Sequence, residues 1–216
     1  SKATSPHVLQ AVEADFTGVA RVRSKVSESW KKEEGFSLTY LPFIANAVCE
    51  AIREFPRVNG EIDGENLVVF HHVNLAIAVD LDFDGLVAPV IREAERKSIR
   101  ELARAIRDIS ERARAGELVP EDFADGTYTI SNSGVFGTMI TAPIINQPQV
   151  AILSTDAIVK KPVVIETEGG DSIGVGLVGV LAQSFDHRAI DGAYSAAFLS
   201  RVRDIIQTKD WADFLA

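Results

Sequence analysis

Between positions 173 and 185 the chain reads IGVGLVGVLAQSF, thirteen residues with no charge and no proline. A run this rich in apolar and β-branched side chains reads as a strand. It is the longest of several. LVVF follows Asn66, and NLAIAVD (74–80) and LVAPVI (86–91) read as a hairpin joined by an Asp84-Gly85 turn signal. TYTISN (127–132), VAILST (150–155) and PVVIET (162–167) are further strands, with Glu168-Gly169-Gly170-Asp171 turning the last of these into the long run.

Helical periods alternate with these strands. Val19, Val22, Val26 and Trp30 mark a helix over about 16–32 that Gly35 ends, and Leu41, Ile44, Ala45, Val48, Ala51 and Ile52 mark a buried one that stops at Phe55-Pro56. Ser98 with Glu101 forms a capping box, followed by a stripe of Ile99, Leu102, Ala103, Ile106, Ile109 and Ala113 that closes near Gly116. A final helix carries Phe198, Leu199, Val202, Ile205 and Ile206 and ends at about Thr208. This alternation predicts an α+β fold, helices packed on a mostly antiparallel or mixed sheet. With no repeat and no linker, 1–216 reads as a single domain.

Twenty-two Lys and Arg stand against 31 Asp and Glu, a net charge of −9 that argues against nucleic acid and anionic lipid as partners. From 92 to 114, eight basic residues face five acidic ones, which reads as a solvated helix face and not a phosphate patch. No apolar run approaches the roughly 18 residues of a membrane span, and SKATSPHVLQ carries no targeting pattern. Cys49, the only cysteine, excludes an internal disulfide framework and a multi-cysteine metal site, and IANAVCEAI suggests a buried apolar role for it. A reducing compartment is implied.

Four histidines allow each to be weighed. His7 falls in a terminus expected to be mobile, and His71-His72 lie side by side in an expected strand, on opposite faces. His187 lies in SFDHRAIDG, where the long strand meets the final helix, a junction that can hold a side chain rigidly at the mouth of a site. Its neutral form can take a proton near neutral pH, which makes it the best candidate base; a structural, hydrogen-bonded histidine is the rival reading. Asp186, Arg188 and Asp191 flank it and can orient the ring, form an ion pair or brace the turn. TISNSGVFGT (129–138) ends a strand in hydroxyl and amide groups before a glycine-bounded loop, suiting either a ligand or a polar turn. It carries neither a GxGxxG nor a GxxxxGK[ST] pattern, and Ser131 or Ser133 lacks the GxSxG elbow of a hydrolase.

Taken together, DHRAIDG (186–192), TISNSGVFGT (129–138), PIINQPQVAIL (143–153), LTYLPFIANAV (38–48) and DGLVAPVI (84–91) resemble, in order, the catalytic domain of the dihydrolipoamide acyltransferases of 2-oxo acid dehydrogenase complexes. The resemblance covers essentially the whole chain. It implies a chloramphenicol-acetyltransferase-like, trimer-forming fold, assembly into a larger cage, and an active site between subunits. It implies transfer of an acyl group between dihydrolipoamide and coenzyme A, with His187 as the base, Ser131 as oxyanion donor and Asp191 at the family's acidic or amide position. Asp186 and Arg188 are then expected to brace the site. The resemblance implies no metal and no tightly bound cofactor; coenzyme A and lipoamide, carried on another domain, are substrates.

The implied partners are a lipoyl domain, the decarboxylase and dihydrolipoamide dehydrogenase components, and copies of the chain itself. A lipoyl domain and a peripheral-subunit-binding domain are not legible in this sequence. GVFG and PIINQPQ lean toward succinyl over acetyl or branched-chain transfer. Alternatives are another CoA-dependent acyltransferase using the same histidine, or a non-catalytic assembly scaffold. The expected location is the cytoplasm, or the mitochondrial matrix in a eukaryote.

Overall fold

The computed structural model describes residues 1–214, which run β1 (His7–Asp15), α1 (Thr17–Glu34), α2 (Leu41–Glu54), β2 (Gly60–Asp63), β3 (Asn66–Val69), β4 (Leu75–Ile77), β5 (Val79–Asp80), β6 (Leu86–Val87), β7 (Val90–Ile91), α3 (Ile99–Ala115), β8 (Tyr128–Asn132), β9 (Ala151–Thr155), β10 (Val159–Ile165), β11 (Ser172–Asp186) and α4 (Gly192–Thr208). Helix boundaries follow the local signals. Ser98 Oγ accepts from the Glu101 backbone at 3.2 Å and the Glu101 carboxylate accepts from Ser98 N–H at 2.7 Å, closing the capping box of α3. Gly35 and Gly116 end α1 and α3 in the left-handed conformation that glycine adopts without a Cβ penalty.

The principal sheet is ordered β1-β11-β9-β8-β4-β7, with β10 also on β11. β4, β8 and β9 are parallel and the other pairs antiparallel, so the sheet is mixed as the sequence predicts. Period-two alternation sorts its faces. Tyr128, Ile130, Leu153, Leu181 and Phe185 join residues of all four helices in one hydrophobic core. Ser131 and Thr129 therefore project from the opposite face. A buried polar chain ties sheet to helix within that core: Tyr128 Oη donates to Gln183 Oε1 at 2.6 Å, and Gln183 Nε2 donates to Ser195 Oγ at 2.9 Å. Burial raises the Tyr128 phenol well above its ordinary pKa, keeping it a donor.

Several expectations are corrected. HVLQAVEAD is no mobile terminus; it forms the edge strand β1, paired with β11 over nine positions, and His7 begins it. The predicted hairpin splits into β5/β6 and β4/β7, because Pro89 has no N–H to donate and only its carbonyl is used, accepting from Ile77 N–H. Its tip is Asp82-Phe83, both at positive φ, two residues before the expected Asp84-Gly85. His71 and His72 sit in a bend after β3, both exposed.

Other readings hold. Arg100 pairs with Glu33 and Glu34, Arg104 with Glu34, Arg107 with Glu111, and Arg112 with Asp122, so the outer face of α3 is charge-paired. Cys49 is buried, and burial pushes its thiol up to about 12, which leaves it unreactive at neutral pH. No described helix is long and apolar enough to cross a membrane.

Candidate active site

β11 delivers His187. The strand ends at Asp186, which is 1% exposed, and His187 follows it into solvent. The turn is fixed by its backbone: Asp186 N–H donates to Val150 O at 2.8 Å and His187 N–H to Pro6 O at 3.0 Å, while Ala189 N–H returns to Asp186 O. The Asp186 carboxylate holds Arg188 from two sides, with Nη2 at 2.6 Å from Oδ2, Nε at 3.0 Å from Oδ1, and the Arg188 backbone N–H at 2.9 Å from Oδ1. Burial pushes this carboxyl up, but the hydrogen bonds from Arg188 and Ser5 and the guanidinium charge outweigh it and hold it below the ordinary value. The imidazole of His187 makes no side-chain hydrogen bond to the described residues, and its ring lies 5.8 Å from that of Phe185. Its nitrogens are available to a ligand.

Asp191 caps α4: Oδ1 accepts from Tyr194 N–H at 2.8 Å, which satisfies one of the orphan donors of the first turn. The carboxylate thus has a structural task of its own, four residues after His187.

Ser131 lies near the end of β8, half-buried and without a side-chain partner among the described residues. The loop after it is built around Asp156, a buried carboxylate that accepts from Thr138 Oγ1 at 2.6 Å, Thr141 Oγ1 at 2.7 Å and Thr141 N–H at 3.1 Å. Asn132 Oδ1 accepts from Gly134 N–H, and a Cβ at Gly134 would meet Asp156 O at 2.7 Å, so only glycine fits. The loop presents apolar side chains outward: Val135, Phe136, Met139 and Ile140 are all exposed, and Phe136 meets the hairpin-tip Phe83 at 5.9 Å between ring centroids.

The structure brings Asp186, His187, Arg188 and Asp191 together and leaves Ser131 apart. Ser131 opposes Ser154, and Ser154 opposes Ala182, five residues before His187. At about 3.3 Å per residue along a strand and about 4.8 Å between strands, Ser131 and His187 are roughly 19 Å apart within one chain. A cavity of about 900 Å³ lined by Phe70, His72, Asn74, Arg92, Asp125 and Gln149 contains none of these five residues. Ser5 and His7, which contact the His187 turn or its neighbours, were not anticipated as site residues. Their partners lie about 140 or more positions away in sequence, and no local signal announces them.

The family model described as 2-oxoacid dehydrogenases acyltransferase (catalytic domain) matches residues 1–214. The chain is 41% identical over 209 residues to the dihydrolipoyllysine-residue acetyltransferase component of the pyruvate dehydrogenase complex of Corynebacterium glutamicum, covering 96% of this chain and 31% of that one. It is 38% identical to the lipoamide acyltransferase component of the branched-chain alpha-keto acid dehydrogenase complex of Bacillus subtilis, covering 97% and 49%. A succinyltransferase component of the 2-oxoglutarate dehydrogenase complex, from Bartonella vinsonii, matches at 37%, covering 90% and 46%. The chain thus spans about a third to a half of these relatives' length. Among solved structures, a probable dihydrolipoamide acetyltransferase of Listeria monocytogenes superposes with a TM-score of 0.90 at 39% identity, covering 97% of this chain and 88% of that one. An Azotobacter vinelandii dihydrolipoamide acetyltransferase, solved to investigate one serine, one histidine and one asparagine in its catalytic mechanism, gives 0.89 at 31%, covering 100% and 86%. The cubic core of a pyruvate dehydrogenase multienzyme complex gives 0.88 at 31%, covering 100% and 86%. Chloramphenicol acetyltransferase, at 17% identity and 0.59, shares the fold, over 94% and 89% of the two chains.

Proposed function

This chain belongs to the 2-oxoacid dehydrogenases acyltransferase family, as its catalytic domain, and on that premise we propose that it transfers an acyl group between dihydrolipoamide and coenzyme A. The observation that carries the reading is His187, exposed on a turn whose backbone and flanking ion pair are locked, with its imidazole free of side-chain partners. A histidine so held can take the proton of an incoming thiol. A free thiol, with a pKa near 8.5, is only a few per cent thiolate at neutral pH, so a positioned base is worth about 10²–10⁴-fold.

In the direction of coenzyme A acylation, His187 removes the coenzyme A thiol proton and the sulfur attacks the thioester carbonyl of acyl-dihydrolipoamide. The tetrahedral oxyanion is held by Ser131, a contact worth about 2.7–4 kcal/mol. Collapse breaks the bond to the lipoyl sulfur, which takes the proton back from His187. The in-chain separation of His187 and Ser131 supports a site completed by Ser131 of a second copy. Asp191 maintains the turn and α4 together, and the Azotobacter enzyme's histidine and asparagine stand four positions apart, as His187 and Asp191 do. Asp186 and Arg188 brace the turn. Coenzyme A and lipoamide act as substrates, and no tightly bound cofactor takes part.

The same reading makes the chain an assembling core that receives a lipoyl domain and gathers decarboxylase and dihydrolipoamide dehydrogenase components, in the cytoplasm or mitochondrial matrix. The exposed apolar residues around Ser131 and on the β10–β11 arm favour self-association into trimers and a larger cage. Acetyl, branched-chain and succinyl relatives match at 41%, 38% and 37%, so the acyl group is decided by assay. Initial rates from acetyl-, succinyl- and isobutyryl-CoA to free dihydrolipoamide test the reading. One donor is expected to give a clear rate that His187→Ala lowers at least about a hundredfold with assembly intact. A folded, assembled His187→Ala with near-normal rate removes His187 as the base.

A further inference from the structure

The His187 turn leans on a segment that belongs to no part of the catalytic chemistry. Its backbone N–H donates to Pro6 O, and Pro6 stands between two residues that are themselves pinned. Ser5 is 3% exposed; its Oγ accepts from Gln147 Nε2 at 2.6 Å and lies 3.4 Å from Arg188 Nη2. His7 binds on both ring nitrogens: Nδ1 is 2.8 Å from Ser5 O, and Nε2 is 3.2 Å from the Ile145 backbone nitrogen.

These partners fix the tautomer. A backbone N–H can only donate, so Nε2 accepts from Ile145, and a carbonyl can only accept, so Nδ1 carries the proton given to Ser5 O. Neutral histidine is the side chain that does both from one rigid ring. It sits opposite Asp186 in the β1–β11 register, the residue immediately before His187. The ring therefore ties the segment before β1 to the loop containing Ile145 and Gln147, and the backbone pairing of β1 carries that anchor to the end of β11.

We propose that His7 is a positioning residue for His187, holding the Pro6 carbonyl that fixes the backbone of the catalytic turn. The inference rests on the acyltransferase reading for its kinetic consequence but not for its structural one. Misplacing a reacting group by an ångström through a change outside the chemistry can cost about a hundredfold in rate. Losing His7 thus acts on turnover and leaves substrate affinity alone, because no substrate contact is removed.

The test compares wild type, His7→Ala, His7→Gln and Ser5→Ala as assembled protein. Two readouts are taken: hydrogen–deuterium exchange of the peptide containing His187, and kcat and KM for coenzyme A. In His7→Ala the His187 amide is expected to exchange at least about tenfold faster and kcat to fall by about tenfold or more, with KM within about twofold. His7→Gln, whose terminal amide reaches the Nε2 position and can accept from Ile145, should recover most of both, and Ser5→Ala should give a milder version of the loss. Unchanged exchange and kcat in folded His7→Ala would falsify the proposal. So would kcat and KM changing together with a lowered melting temperature and no rescue by glutamine, which is the behaviour of an ordinary structural anchor. If His7→Ala does not fold, the same criteria apply to His7→Gln and Ser5→Ala: wild-type exchange in both overturns the staple. Absence of transfer in the wild type rejects the acyltransferase reading alone, since the exchange readout still tests the staple.

Discussion

Asp186 carries a full charge at 1% exposure, which is tolerable only because Arg188, its own following backbone and Ser5 surround it with donors. Its folded pKa lies below the ordinary 3.8, so the ionised form favours the native state. That contribution is fully present above the unfolded value and is lost as pH falls through the folded one. The melting temperature of the wild type should therefore drop more steeply than that of Asp186→Asn as pH is lowered from about 5 to about 3. At neutral pH, Asp186→Asn removes the charge that Arg188 pairs with. We expect a loss of about 1–3 kcal/mol, at the lower end because the Arg188 side chain is 42% exposed. At this scale the sequence is legible where a residue type is rare: with four histidines, the one at a strand-to-helix junction stands out. Ser5 and His7 are not legible, because their value comes from Gln147, Ile145 and the His187 turn, which sequence separation hides.

Elements with local causes follow their signals closely. α3 begins where Ser98 and Glu101 cap it and ends where glycine takes the left-handed conformation. Ser98→Ala should cost about 1 kcal/mol, read as a melting shift of about 2–4 °C in a domain of this size. Acyl transfer should be unchanged, because α3 lies away from the His187 turn. A transfer rate that falls with the melting temperature would show that α3 supports the site as well as the core. Elements with distant causes are harder to read. β1 is an edge strand of mixed polarity whose single partner strand lies 163 to 179 positions downstream, so neither a clean alternation nor a neighbouring turn announces it. The β5/β6 tip falls at Asp82-Phe83 and not at Asp84-Gly85 because Asp84 N–H closes the turn on Leu81 O and the Asp80 carboxylate accepts from Phe83 N–H, which holds both tip residues at positive φ. Phe83 meets the Phe136 ring in return.

Across the described residues, most of the exposed large apolar side chains gather in two groups, one around the loop after Ser131 with the facing hairpin tip and one on the β10–β11 arm, where Val164, Ile173 and Val175 are at least 67% exposed. A monomer seldom leaves so much apolar surface in water. If Ser131 and His187 serve one site from two copies, co-assembling His187→Ala with Ser131→Ala chains restores some intact pairs. In equal mixtures about a quarter of the interfaces then hold both wild-type residues, and activity should recover to about that fraction. Mixtures no more active than the single variants would place both residues' work within one chain.

β11 joins these regions as one uninterrupted strand, from the exposed arm at Ser172 to the buried Asp186. Its fifteen residues span about 50 Å, and side chains alternate along the whole length, so an insertion or deletion of one residue reverses every position beyond it. Between Val178 and Asp186 the strand is tied to β1 without a gap, and such an error cannot be absorbed before the His187 turn. Along the β10–β11 hairpin, length variation is therefore admissible at the turn between Ile165 and Ser172, where the backbone is exposed and belongs to no ladder. A peptide tag or a fluorescent reporter spliced there would leave the spacing between arm and His187 turn intact.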